Sequence, residues 1–244
     1  MDMYSPIDFQ SEFRSYAMKH MGVTSSQFYY WDRMQTELYT NRMVSSPPQG
    51  SMTPYILEER ELRVTQMDIF SRLMMDRILW LAGPVNDLMS TTVQAQLLFL
   101  ESLDRDKDIT IYVDTPGGSV KSGLSMIDNM MLCNADIRTV NTGMAASMGS
   151  LLLGAGTKGK RSTLRSSRVM LHQLSSGYDG NHQDNKISFQ ESEKYNIQLF
   201  EYLGEFCGKD PKEVMDNASR DLWLNSKEAV EYGIVDEIIT KNNG

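Results

Sequence analysis

The sequence predicts an α/β domain built on a parallel sheet, and three observations carry that prediction. Apolar strand-like runs alternate with amphipathic stretches from residue 78 onward, the order that right-handed helical crossovers between parallel strands produce. Two loops that follow strands are rich in small residues, Gly117-Gly118 and the run from Gly143 to Gly149. At 244 residues the chain also has room for one good-sized domain plus an appendage.

Taken in order, residues 1–50 are unlike the rest of the chain. Residues 11–20 can form a short helix, Phe28-Tyr29-Tyr30-Trp31 is a dense aromatic cluster, and Ser45-Ser46-Pro47-Pro48-Gln49-Gly50 reads as a linker. Such a leader is either a removable or docking segment or a poorly ordered tail. Pro54-Tyr55-Ile56-Leu57-Glu58 is a short extended apolar patch, residues 67–75 carry a helical pattern of Met67, Phe70 and Met74, and Ile78-Leu79-Trp80-Leu81 is a first buried strand. A helix over 91–103 places Val93, Leu97, Leu100 and Leu103 close to one face. The strand at 109–113 then runs into Asp114-Thr115-Pro116-Gly117-Gly118-Ser119, and the next helix shares a stripe of Val120, Leu124, Ile127 and Met131. Ile137, Thr139 and Val140 read as a strand, Gly143 permits a sharp turn, and a helix begins over 145–153 with Ser147 in its first turn.

Beyond that unit, residues 160–164 form a strand or turn and 168–172 a strand. A long polar helix spans 182–206 with Tyr195, Leu199, Tyr202 and Phe206 on its stripe. Its first half offers little beyond Ile187, as expected either of a face covered by another subunit or of a solvated, frayed end. A helix over 211–217 with Pro211 near its start, a strand at 222–224, a helix over 226–232 capped by Ser226 and a strand at 234–239 close the chain.

Composition excludes several classes. A net charge of -8 argues against nucleic acid or anionic membrane as the main partner, because both select for basic surfaces. No apolar run reaches transmembrane length, and Asp2, Asp8 and Glu12 are incompatible with a secretory signal. Cys133 and Cys207 lie far apart without metal-like spacing, which points to reduced thiols in a cytoplasmic protein and to no metal site. The 18 methionines are flexible filler for cores and interfaces.

The chemistry gathers at strand ends. Ser147, with small neighbours and the free amides of a helix start, suits a nucleophile, although the same residues also fit close packing of a helix on a sheet. Of the three histidines, His20 and His182 lie in polar surroundings, whereas His172 ends an apolar strand. An imidazole there can take the serine proton and return it to a leaving amine, or it can be a satisfied structural residue. Asp221, at the edge of the Leu222-Trp223-Leu224 strand, is a candidate to orient that imidazole or a surface turn aspartate. The backbone amides of Gly118 and Met148 are candidate oxyanion donors. Together these residues suit a serine hydrolase, though Gly-x-Ala-Ala-Ser-x-Gly is not the Gly-x-Ser-x-Gly elbow of α/β-hydrolases.

Thr142-Gly143-Met144-Ala145-Ala146-Ser147-Met148-Gly149, Arg168-Val169-Met170-Leu171-His172-Gln173, Arg220-Asp221 and Glu228-Ala229-Val230-Glu231-Tyr232-Gly233-Ile234-Val235-Asp236 resemble the ClpP family, the proteolytic subunit of the ATP-dependent Clp protease. Thr115-Pro116-Gly117-Gly118 and Ala155-Gly156-Thr157-Lys158-Gly159-Lys160-Arg161 match it in the same order, so the resemblance spans roughly residues 52–240. It implies a crotonase-like α/β fold with a protruding handle helix after Gly180, and two stacked heptameric rings enclosing a chamber. It implies Ser147 as nucleophile, His172 as base, Asp221 as orienter and the Gly118 and Met148 amides as oxyanion hole of a serine endopeptidase that needs no cofactor. It also implies a leader over 1–51 removed as a propeptide before a peptidase domain over 52–244, with residues 52–58 as an axial loop. An AAA+ Clp ATPase, ClpX- or ClpA/ClpC-like, would use the ATP, dock on apolar clefts to which Tyr112 and Ile239 contribute, and feed in unfolded protein.

Three positions depart from the family pattern. Leu174-Ser175-Ser176-Gly177 replaces Pro-x-Gly-Gly after the His-Gln pair, Thr110 stands where a second aromatic is common, and Ser219 where an acid usually precedes Arg-Asp. They leave open an inactive or partner-dependent structural subunit of a mixed ring. An acyl-CoA enzyme of the wider crotonase fold is a further reading, and it would have no use for the Ser147, His172 and Asp221 set.

Overall fold

The computed structural model describes residues 55–60 and 63–241; the leader expected over 1–51, and residues 52–54, lie outside the described residues. The chain enters through an antiparallel hairpin, β1 (Tyr55–Arg60) against β2 (Arg63–Asp68), with Tyr55 opposite Asp68. The apolar patch around Tyr55 is therefore one arm of a hairpin. The helix expected from residue 67 starts later, as α1 (Ile69–Met75), because the Asp68 carboxylate accepts the Phe70 and Ser71 N–H groups and sets the boundary there. Met67 belongs to β2.

The main sheet has seven strands. β3 (Ile78–Ala82), β4 (Ile109–Thr115), β5 (Ile137–Ala146), β6 (Arg161–Leu164) and β9 (Glu237–Ile239) lie side by side in that order, all parallel. α2 (Asp87–Leu103) and α3 (Val120–Leu132) make the crossovers between the first three strands. β5 is long enough to fork: Thr139, Val140 and Asn141 pair with β6, whereas Met144, Ala145 and Ala146 pair with β7 (Arg168–Leu171). β8 (Leu222–Asn225) runs antiparallel to β7, the one departure from the parallel arrangement. α4 (Met148–Gly154) follows β5, α5 (His182–Cys207) and α6 (Pro211–Asn217) lie between β7 and β8, and α7 (Ser226–Tyr232) leads to β9.

Strand alternation defines the core. Ile109, Ile111, Val113 and Thr115 of β4 point inward and are fully buried, while Thr110 and Tyr112 face outward. α2 covers that face with Ser90, Val93, Leu97 and Leu100, each fully buried apolar side chain contributing about 1.5–3 kcal/mol. Leu103, expected on this stripe, is exposed at the helix end. α2 begins at Asp87, before the expected residue 91, because the Asn86 side chain accepts the Met89 N–H. In α3 the buried stripe is Leu124, Met126, Ile127 and Met130, with Met131 left outside. Only the last third of α5 docks, through Leu199, Phe200, Leu203 and Phe206; Tyr195 is exposed.

A buried ion pair closes the far edge of the sheet. Arg161, 1% exposed, donates to Asp236 and to the Phe206 and Gly233 carbonyls, which ties β6 to the ends of α5 and α7. Residues 234–236 bend around this pair, so the closing strand is shorter than expected, only Glu237–Ile239. The cap of α7 is Asn225, in a reciprocal box with Glu228, and the expected cap Ser226 is the first helical residue. No helix among the described residues is long and apolar enough to cross a membrane.

Candidate active site

β5 passes through Gly143 without turning. The missing side chain serves close approach instead: a Cβ at Gly143 would lie 2.6 Å from Asp114 Oδ1, and that carboxylate accepts the Met144 N–H at 2.9 Å. The sharp turn comes at Ser147, with φ 55° and ψ −124°, a left-handed backbone in a residue other than glycine. Such strain costs about 1–3 kcal/mol and persists only where neighbours enforce it. Here the Ser147 N–H donates to the Met170 carbonyl at 2.9 Å, and the Ser147 carbonyl accepts the Ser150 N–H at 3.0 Å and its hydroxyl at 2.7 Å. Ser147 thus precedes α4 as its cap residue and does not lie within its first turn.

Strand register brings the other groups to it. Met170 of β7 pairs with Ala146 of β5, so Ser147 and His172 leave neighbouring parallel strands at nearly the same level. His172 Nε2 lies 2.8 Å from Ser147 Oγ. Leu171 pairs with Leu222 across the antiparallel β7–β8 ladder, which sets Asp221, one residue before β8, beside the imidazole. Asp221 Oδ1 stands 3.7 Å from His172 Nδ1, an ion-pair separation longer than a hydrogen bond, and its side chain is 61% exposed.

The loop after β4 supplies the opposite wall. The Val85 N–H donates to the Gly117 carbonyl at 2.8 Å, and the Ser119 N–H donates to the Val85 carbonyl at 2.9 Å, so Val85 clamps Gly118 from both sides. A Cβ on Gly118, at φ +149°, would fall 2.3 Å from the Val85 carbonyl oxygen. The Gly118 N–H has no acceptor among the described residues. Met148 is the first residue of α4, where an N–H has no intrahelical acceptor. Both amides border one cavity of about 150 Å³ together with Ser147 and His172, and Val120, Leu151, Leu174, Leu199, Phe200 and Leu203 contribute its apolar lining. Two unsatisfied N–H groups beside a serine in contact with an imidazole can stabilise an oxyanion during acyl transfer.

Several residues support the site without a role assigned from the sequence, although Gly117 lies in the small-residue loop identified there. Gly117, at φ +90°, lets the loop press on the serine: a Cβ there would sit 2.6 Å from the Ala146 carbonyl oxygen and 2.7 Å from Ser147 Cβ. Its adjacency to Gly118 was the available signal. Val85 carries no local signal, since its role depends on a bridge to Gly118 across 33 residues of chain. The cavity lining from α5 is likewise a long-range arrangement.

The remaining candidates fall elsewhere. Tyr112 stacks on Trp80 across the β3–β4 pair, ring centroids 5.0 Å apart at 13°. Ile239 pairs with Leu164 on β9, and β5 and β6 separate it from Tyr112 within one chain. His182 is exposed at the start of α5, and His20 lies outside the described residues. Neither thiol competes as a nucleophile: burial pushes Cys207 up to about 11 and raises Cys133 as well, with the Glu101 charge adding to the latter. Among the described residues there is no cluster of three or more histidine, cysteine or acidic side chains able to hold a metal ion.

Comparison with known proteins agrees with this architecture. The family model described as Clp protease matches residues 60–242. The ATP-dependent Clp protease proteolytic subunit of Bacteroides fragilis (strain YCH46) is 44% identical over 230 residues, covering 94% of this chain and 99% of that protein. Its counterpart from Bacteroides thetaiotaomicron is also 44% identical, with the same coverage. That of Porphyromonas gingivalis is 42% identical over 232 residues, covering 95% of this chain and 99% of its own length. With the match spanning the strands that carry Ser147, His172 and Asp221, the chain belongs to the Clp protease family.

Proposed function

We propose that this chain is the serine endopeptidase subunit of a Clp protease, with Ser147, His172 and Asp221 as its catalytic residues. The observation that carries the reading is the 2.8 Å approach of His172 Nε2 to Ser147 Oγ. Ser147 Oγ attacks a peptide carbonyl while Nε2 takes its proton, and the Gly118 and Met148 N–H groups hold the oxyanion. The imidazolium then protonates the leaving amine, and the acyl-enzyme is hydrolysed by a water deprotonated at the same nitrogen. Asp221 steadies the imidazolium from the Nδ1 side. No metal or other cofactor enters these steps.

The substrate in this reading is unfolded protein, cut to short peptides in a chamber formed by two stacked heptameric rings of this chain. The exposed apolar side chains Leu88, Leu98, Phe99 and Leu103 on α2, with Met131 and Leu132 on α3, support an oligomer, since a monomer seldom leaves so much apolar surface open. An AAA+ Clp ATPase, ClpX- or ClpA/ClpC-like, supplies the ATP-driven unfolding and docks on clefts formed between copies by Tyr112 and Ile239. Residues 1–51 form a leader removed as a propeptide ahead of a peptidase domain over 52–244, and the setting is cytoplasmic, without nucleic acid or membrane. The scaffold alternative is not favoured, because each of the three relatives is named a proteolytic subunit.

The test is Ser147→Ala in the assembled particle, with a serine-directed fluorophosphonate and a fluorogenic peptide as probes. Loss of label and a fall of roughly 10⁶-fold in kcat are expected, as when the nucleophile of a triad is removed. Near-full turnover by the variant would overturn the reading.

A further inference from the structure

The segment after His172 departs from the family pattern, and it meets α5 through one hydrogen bond and the edge contact of Tyr178 with Phe189. Residues 172–180 form neither helix nor strand. The Leu174 N–H donates to Asn196 Oδ1 on α5 at 2.9 Å, and among the described residues this is the only hydrogen bond tying residues 173–178 to that helix. Asn196 is half-buried and Leu174 packs against the core.

Leu174 stands between two spaces. On one side is the 150 Å³ cavity at Ser147, whose apolar wall it shares with Val120, Leu151, Leu199, Phe200 and Leu203. On the other is a second cavity of about 360 Å³ under the segment, reached by Tyr178, Phe189, Asn196, Ile197 and Met215. Among the described residues no other lines both. A space of roughly 150 Å³ accommodates a benzene-sized group, and Gly118, Ser147 and His172 share its walls with the apolar side chains, so it admits nothing larger than a leucine or phenylalanine side chain. It would take a larger one only if Leu174 moved into the second space.

We propose that Asn196 is a positioning residue for substrate selection: by accepting the Leu174 N–H it holds Leu174 as the partition that limits the side chain admitted beside Ser147. This rests on the reading of Ser147 as the nucleophile. The bond also occupies a backbone N–H that an extended segment would otherwise offer to a substrate strand. Removing the acceptor leaves that N–H without its partner and lets the partition swing toward the empty side. Asp at 196 keeps an oxygen acceptor at the same distance along the side chain, whereas Ala removes it.

The experiment uses the full assembled particle and fluorogenic peptides that differ only in the residue on the acyl side of the scissile bond, Leu, Phe or Trp. For Asn196→Ala, KM for the Leu peptide should rise about tenfold with kcat within twofold, and the preference for Leu over Trp should fall about tenfold, the scale on which a pocket discriminates by one or two carbons. Asn196→Asp should restore the wild-type ratio, and Leu174→Ala should reproduce the loss. Fluorophosphonate labelling separates the possible failures. Normal labelling of Asn196→Ala with unchanged selectivity, or with an equal loss across all three peptides, overturns this inference alone. Absence of labelling in the wild-type particle overturns the assignment of Ser147 and this inference with it.

Discussion

Gly117→Ala isolates the part of the site that depends on close backbone approach. The new Cβ would lie 2.6 Å from the Ala146 carbonyl oxygen, 2.7 Å from Ser147 Cβ and 2.9 Å from the Met148 nitrogen, against 3.4 Å for ordinary contact. The shortfall is about 0.8 Å, and two of the three atoms are backbone that cannot rotate away. Something must shift, and the atoms involved carry the nucleophile and one proposed oxyanion donor. A misplacement near 1 Å costs about 10²-fold in rate. A left-handed alanine adds a backbone penalty of about 1–2 kcal/mol, which Gly159→Ala controls for: Gly159 has φ +85° with nothing within 4 Å of a Cβ. Gly159→Ala should lose only the backbone penalty in thermal unfolding and Gly117→Ala more, because it alone adds the close contacts, and only Gly117→Ala should lose about 10²-fold in kcat on a fluorogenic peptide, with the particle intact by size-exclusion chromatography. Turnover by Gly117→Ala within threefold of wild type, or an equal fall in Gly159→Ala, would refute the reasoning.

Asp221→Asn keeps the shape of the side chain and removes its charge, and by analogy with other triads kcat should fall by roughly 10⁴-fold; a change below tenfold in steady-state hydrolysis would assign the exposed carboxylate no part in catalysis. Asp236→Ala leaves the Arg161 guanidinium buried without its counter-charge, so urea unfolding at pH 7 should show a loss of about 3–5 kcal/mol. Burial pulls the Asp236 carboxyl upward, but hydrogen bonds from the Arg161 side chain and backbone outweigh it and hold the pKa below the usual carboxylate range. A depressed folded pKa stabilises above the unfolded value near 3.9, and that contribution disappears as pH falls through the folded one. The stability gap between wild type and Asp236→Ala should therefore narrow below about pH 4; a gap constant from pH 7 to pH 2 would exclude the pair as its source.

Several helix boundaries are set by capping side chains. At the starts of α1 and α7, Asp68 and Asn225 win because their side chains reach two N–H groups each, a competition that apolar periodicity does not record. The α5 stripe shifts from Tyr195 to Phe200 and Leu203 because only the end of that helix meets the sheet. Gly143 reads as a turn residue in isolation, yet the Asp114 carboxylate, 29 positions earlier, occupies the space its side chain would need.

The sequence by itself determined the alternation of strands and helices, since alternating burial and amphipathic stripes are local properties of the chain. It also placed Ser147, Gly118 and His172 at strand ends, where an α/β sheet gathers its chemistry. Only the tertiary structure decided that Ser147 turns at positive φ, that the fork of β5 sets it level with His172, that Val85 clamps Gly118, and that Asn196 accepts the Leu174 N–H. Each of these joins segments distant in the chain, and its geometry comes from register and close packing, which neither composition nor periodicity encodes.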